Sequence, residues 1–409
     1  MKIRSITYFL NPGHRLDEKT LNDAGAFIAA ARPAFETGGY EVQTARLATV
    51  PFPKWLPTLN VTQATRQAQA LETAAESLGY EYVSMGPALP TFPDSYAIIP
   101  EVLAATENVF FSGVIASSQD GVSLPAIRAC AQIIHRVATL DPDGFSNLYF
   151  AALANVPAGA PFFPASYHEG KLPTFALATE AADLAVDAFA NAGSLRIARQ
   201  NLIRAVETHA QALTRVATDL ARQFGLSFGG LDFTLAPFPQ EAHSLGTALE
   251  ELGLPAVGLH GSLAAAAFLT DTLDLARYQR TGFNGLMLPV LEDATLAKRA
   301  AEGTLAVKDL LMYSAVCGTG LDTVPLPGDT RPEELAAVLL DLAALAQRLE
   351  KPLTARLMPM PGKQAGDPIE FDFPYFANSR VLAVHARPLN GLFTGKESFY
   401  LRRRVNSEM

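Results

Sequence analysis

A thiol between flexible joints, followed closely by a carboxylate, is the densest chemistry in the chain. Cys317 precedes Gly318 and Gly320, and Asp322 lies five residues beyond the thiol. Glycines let backbone amides approach a ligand, and such amides stabilise an anion. A thiol placed there is a nucleophile when its thiolate is stabilised. The same residues also describe a small buried cysteine at the end of a strand, with Asp322 capping a turn.

The segment 154–170 is a second candidate. Asn155, Pro157, Gly159, Pro161 and Pro164 are followed by Tyr167, His168 and Glu169. Prolines stiffen the loop, and an imidazole held on it suits general acid–base work or metal ligation. The plain alternative is a surface loop with a solvated His–Glu pair. Asp232 puts a charge into the apolar run 230–236. In a barrel lumen that carboxylate needs a partner, and a structural arginine would serve. His260 opens a helix, where Ser262 or a bound anion could cap it. Asn284 sits in an apolar run ahead of Glu292 and Asp293, which suit a helix cap, and Arg356 lies in a final apolar run as either a ligand contact or a packing residue. The cluster Ser117–Gln119–Asp120 before a helix could cradle a polar group, although such clusters usually cap.

Familiar cofactor signatures are missing. The chain has no G-x-G-x-x-G after its first strand, no G-x-x-x-x-G-K-[ST], no H-E-x-x-H and no G-x-S-x-G. The seven histidines, at 14, 135, 168, 209, 243, 260 and 385, include no close ligand pair. A divalent metal would therefore have to be assembled from distant segments, with His168, His260 and Asp232 as the candidates.

These groups need a scaffold, and the alternation of short apolar runs with longer amphipathic ones supplies it. Strands are expected at 3–10, 41–50, 80–85, 108–115, 148–153, 174–178, 230–235, 283–289 and 353–359, with a further run over 311–317 leading into a loop at 318–329. Helices are expected between them, the longest over 195–224 and closed by Gly225. Roughly ten strands interleaved with helices predict an α/β protein, a ten-stranded β/α barrel with its helices outside. No stretch has the length and polarity of a linker, so residues 1–390 read as a single barrel domain and 391–409 as a basic C-terminal tail.

Composition sets the outer limits. Of the 409 residues 49% are hydrophobic, which is ample for a large core and excludes disorder for the bulk of the chain. The net charge of −9 argues against nucleic acid, which needs a basic footprint. Two cysteines exclude a disulfide scaffold and a cysteine-rich zinc module. The longest uncharged stretch in the middle of the chain, 252–269, is broken by glycines and a proline, so no membrane span is expected. A soluble, cytoplasmic protein follows as the expectation.

Several of these segments carry a resemblance. Residues 4–7, the loop 155–168, 232–237, 288–293, 316–322 with 327–330, and 361–363 with 366–370 resemble, in order, the domain-of-unknown-function family 711. The similarity spans nearly the whole chain and is strongest from about residue 230 to 372. It implies a barrel related to the glycyl radical enzymes of the pyruvate formate-lyase type, in which ten strands surround an inner loop bearing a thiol. Cys317 matches that thiol by motif and order. The radical enzymes also need a glycine in a short arginine-led C-terminal motif. Here the corresponding residues 378–385 read Asn-Ser-Arg-Val-Leu-Ala-Val-His, so radical catalysis does not carry over.

The resulting expectation is a non-radical enzyme acting on a small polar metabolite in a central pocket. Cys317 would be its nucleophile or acid–base group, His168 its proton carrier, and Asp232 and Asp322 its orienting groups. Asn155, Tyr167, Asn284, Gly318, Gly320 and Arg356 would contact the ligand. The alternatives are a metal-dependent hydrolase or lyase, and a small-molecule-binding or regulatory protein with an inert thiol. The alanine-rich amphipathic helices suit a homo-oligomer as well as a monomer.

Overall fold

The computed structural model describes residues 1–170 and 172–402. Strands β1 (Lys2–Leu10), β2 (Val42–Thr49), β3 (Tyr82–Ala88), β4 (Val109–Ser117), the short β5 (Gly121–Ser123), β6 (Phe150–Ala154), β7 (Thr174–Glu180), β8 (Ser227–Ala236), β9 (Gly320–Pro327) and β10 (Leu353–Met360) build the main sheet. Its path is β8-β7-β1-β2-β3-β4-β6-β10-β9. Five neighbours, β1, β2, β3, β4 and β6, run parallel. β7 and β10 flank this block antiparallel, each with a parallel neighbour of its own, β8 and β9.

The fold is thus mixed α/β, a large, mostly parallel sheet with helices packed on it. A regular ten-stranded closed barrel is not formed. Between the edge strands β8 and β9 lies the segment 280–290, which includes the expected strand 283–289 and forms no continuous strand. Its ladder pairing with them is confined to isolated parallel bridges, Leu231 with Arg280 and Pro289 with Asp322, helped by single backbone bonds such as the Met287 amide to the Thr234 carbonyl at 3.2 Å.

Burial explains the near-continuous apolar strands. All eight residues of β9 and all eight of β10 are buried, as in sheets covered on both faces. One face packs against amphipathic helices. In the helix Leu195–Phe224, residues Ala198, Leu202, Val206, Ala210, Leu213, Ala217 and Leu220 form one buried stripe at helical spacing, and Gly225 ends it at φ 66°. The helix Val61–Ser77 starts where Asn60 Oδ1 accepts the Gln63 amide at 3.2 Å.

The other face is filled by the chain itself. The loop after β6 runs back across it, pinned where Ser5 Oγ and Thr7 Oγ1 donate to the Pro161 carbonyl at 3.2 and 3.0 Å. Ser84 Oγ donates to the Ser166 carbonyl at 2.7 Å, and the His168 amide donates to the Thr49 carbonyl at 2.8 Å. Small side chains on the strands make room for it: Phe163 packs with Ala48 and Ala176, and Phe162 with Ala178 and Ala236. Both rings are nearly fully buried, which stabilises the loop by about 1.5–3 kcal/mol for each.

Two further expectations fail locally. Residues 311–317 belong to the end of the helix Val307–Tyr313 and the turn after it, while the expected loop 318–329 contains β9. Pro325 and Pro327 disguise that strand, and proline is tolerated there because β9 ends the sheet path. The helix Ser95–Leu103 carries Pro100 within it. Among the described residues no helix is long and apolar enough to cross a membrane. Part of the basic tail, Ser398–Phe399, pairs antiparallel with β5.

Candidate functional site

A cleft of about 1650 Å³ opens where β1, β2, β3, β4 and β6 end, its walls including Asn11, Val50, Leu89, Ser117 and Asn155. Parallel strands place ligands beyond their carboxyl ends because the connecting loops converge there. The stiffened loop delivers Tyr167 and His168 to this cleft, and the tail adds Tyr400, Leu401 and Arg402.

His168 is the group with free chemistry. Its side chain is 3% exposed, stacks near Phe9 at 6.3 Å between ring centroids, and leaves Nε2 without a hydrogen-bond partner. Burial pushes its pKa below the usual histidine value, with the Leu172 backbone and Glu169 opposing the shift. The shift favours the uncharged imidazole.

Its neighbours are committed to structure. Tyr167 Oη donates to the Val156 carbonyl at 2.9 Å, and burial pushes its pKa up to about 12, so it stays protonated. Asn155 adopts φ 55°; its Nδ2 donates to the Ala346 carbonyl and its Oδ1 accepts from Gln347 Nε2, both at 2.9 Å. These bonds tie the cleft floor to the helix Pro332–Leu349. Ser117 Oγ donates to Asp120 Oδ2 at 2.9 Å on the rim. Lys54, which sequence reasoning left inside a proline-rich loop, also lines the cleft, and its side chain is exposed.

Cys317 lies elsewhere. It is 1% exposed, belongs to the main apolar core, and does not line the cleft. Its carbonyl accepts from Lys351 Nζ. The glycines beside it serve close backbone crossings. A Cβ on Gly318 would fall 2.5 Å from the Gly285 Cα, and one on Gly320, at φ 98°, would fall 2.3 Å from the Thr354 carbonyl oxygen.

Asp232 and Asn284 meet each other. Asp232 Oδ2 accepts the Phe283 amide at 2.7 Å and Oδ1 the Asn284 amide at 2.9 Å, with Thr234 Oγ1 as a third donor. Asn284 Oδ1 accepts the Phe233 amide at 3.1 Å and Tyr278 Oη at 2.8 Å. Together they clamp 280–290 to β8. Burial drives the Asp232 pKa up to about 6 against the pull of its hydrogen bonds.

Asp322 and Arg356 are joined by an ion pair of 2.6 Å, the end of a buried chain of alternating charge. Arg356 also binds Glu292 at 2.7 Å, Glu292 binds Arg4 at 2.6 Å, and Arg4 reaches Glu180 at 3.2 Å. Burial raises the Asp322 pKa, opposed by Arg356. Arg4, Glu180 and Glu292 escaped sequence reasoning as a group, since partners up to 288 residues apart leave no local pattern. His260 is exposed just ahead of the helix Ser262–Leu275. Among the described residues no group of three or more His, Cys, Asp and Glu side chains lies close enough to hold a metal.

Comparison with known proteins adds a family. A family model described as "Uncharacterised ACR (DUF711)" matches residues 1–378. A UPF0210 protein of Pyrobaculum arsenaticum is 35% identical over 277 residues, covering 66% of this chain and 61% of that one. One from Pyrobaculum islandicum is 32% identical over 364 residues, covering 82% and 78%. One from Oenococcus oeni is 29% identical over 384 residues, covering 87% and 83%. The chain thus spans a little under two thirds of the first relative and more of the other two.

Proposed function

The chain belongs to the DUF711 family, and from its own residues we propose that it is an enzyme acting on a small polar metabolite, bound in the cleft, with His168 as general base. The observation that carries this reading is that His168 lines the cleft while its buried Nε2 has no hydrogen-bond partner. An unpaired polar atom in a buried position costs free energy, so its persistence suits a group that acts on a ligand. Burial favours the neutral ring, the form able to take a proton. The pinned loop holds it in one place, which is what an acid–base group requires.

In this reading the sheet works as a barrel with 280–290 as its tenth stave, in keeping with the ten strands that the resemblance to the radical enzymes implies. Cys317, buried in the core, takes no part in the reaction. Asp232 and Asp322 act as structural anchors, and Asn155 and Tyr167 shape the floor. A catalytic metal on His168, His260 and Asp232 is disfavoured by the donors themselves: both Asp232 oxygens hold backbone amides, and His260 is exposed.

The test is solvent-deuterium exchange. A panel of small hydroxy, keto and amino acids is incubated with the protein in deuterated water, and loss of the acidic C–H signal is followed by proton NMR. The wild type is expected to exchange at least one member, and His168→Gln to lose that activity by a factor of about 10²–10⁴. An unchanged rate in the variant, or no exchange across the panel, removes His168 as the base.

A further inference from the structure

A second cavity lies at the opposite end of the parallel strands. It measures about 60 Å³ and is lined by Arg4, Thr44, Arg46, Tyr82, Phe163 and Glu292 among others. That is several times the ~10–15 Å³ that admits one water. Its residues sit toward the starts of β1, β2 and β3, whereas the cleft lies beyond their ends.

Arg46 is the anomaly in this cavity. Its side chain is 8% exposed, yet its one hydrogen bond runs from Nε to Thr44 Oγ1 at 2.9 Å. Both terminal amino groups, with four N–H donors, lack a protein acceptor among the described residues. The guanidinium carbon stands 5.2 Å from the Phe163 ring centroid and 5.8 Å from that of Tyr82, so aromatic faces fix the plane of the fork. The neighbouring carboxylates are already engaged: Glu292 lies between Arg4 and Arg356, Glu180 pairs with Arg4 and Asp322 with Arg356.

The surroundings also favour a negative guest. Burial and the nearby Arg4 push the Arg46 guanidinium down to about 10, with Tyr82 and Glu292 only partly opposing them. Buried charge is tolerated when it is paired, and the fork of an arginine matches a carboxylate or phosphate through two parallel hydrogen bonds. The Tyr82 hydroxyl, kept protonated by burial, is a further donor on the wall.

We propose that this cavity is a binding site for a small oxyanion, a carboxylate or phosphate group, held on the two terminal amino groups of Arg46. The site is independent of the His168 cleft.

Thermal unfolding tests it. The full chain is titrated with sodium phosphate and, separately, sodium acetate, against sodium chloride at matched ionic strength; a ligand that binds only the folded state raises the midpoint in a saturable way. A saturable rise beyond chloride is expected for at least one of the two, phosphate identifying a phosphoryl guest and acetate a carboxylate. Arg46→Met is expected to weaken the half-saturating concentration at least tenfold, while Lys54→Ala in the cleft leaves it unchanged. No rise beyond chloride, an undiminished rise in Arg46→Met, or loss of the rise in Lys54→Ala overturns the proposal. Should Arg46→Met not fold, wild-type crystals soaked in selenate decide. An anomalous peak beside Arg46 supports the site, and its absence there rejects it.

Discussion

Removing the charge at residue 232 isolates one buried carboxylate in the stability of the whole protein. Asp232 is fully buried, and its pKa rises from 3.8 to about 6. A carboxyl group raised in the folded state binds its proton there more tightly than in the unfolded chain. The ionised group therefore weighs against folding, negligibly below the unfolded value, increasingly between 3.8 and about 6, and fully above that range. At 1.36 kcal/mol per pH unit the full penalty is about 3 kcal/mol, most of it accumulating between pH 4 and pH 7. The perturbation is Asp232→Asn, which fills the same space without a titrating charge. The assay is the urea midpoint of wild type and variant at half-unit steps over that range. Because other groups titrate equally in both proteins, the difference between the curves reports residue 232 alone. The wild type is expected to lose about 2–3 kcal/mol relative to the variant as pH rises from 4 to 7. A constant offset across the range would refute the reasoning, since it would mean that the hydrogen bonds from Phe283, Asn284 and Thr234 fully compensate burial.

Glu292→Gln should be among the most damaging single changes, because it leaves Arg4 and Arg356 facing each other without the carboxylate between them. The expected loss is about 3–5 kcal/mol in urea unfolding, against at most ~0.5 kcal/mol for Lys19→Ala in an exposed pair; similar losses for both would show that the buried chain is solvated. Cys317 should resist iodoacetamide at neutral pH in the folded protein and react on unfolding, with mass spectrometry locating the adduct; rapid labelling of native Cys317 would return the thiol to the list of reactive groups.

Much of the scaffold is legible in the residues because it obeys local rules. The short runs at 3–10, 41–50 and 353–359, each set off by a turn or a helical run, coincide with strands of the sheet. Gly225 ends its helix where a left-handed residue is needed. The losses come where local rules conflict with position in the sheet. Pro325 and Pro327 argue against a strand and are accommodated by an edge. Pro100 argues against a helix yet lies inside one. The glycine-flanked thiol read as an anion cradle because glycine signals close approach without saying to what, and here the approaching object is another stretch of backbone. Arg46, set among Gln43, Thr44 and Thr49, carries no such local cue. The partners of such charges come from distant strands, so burial and pairing emerge only in three dimensions.

The loop that crosses the sheet contributes walls to both openings. Phe162 and Phe163 border the small cavity, while Tyr167 and His168, a few residues on, border the large cleft. Phe162, Phe163 and Pro164 also line a third, smaller cavity of about 20 Å³. The cleft and the small cavity have no lining residue in common, so a guest in one would be felt at the other chiefly through the short stretch of loop between Phe163 and Tyr167.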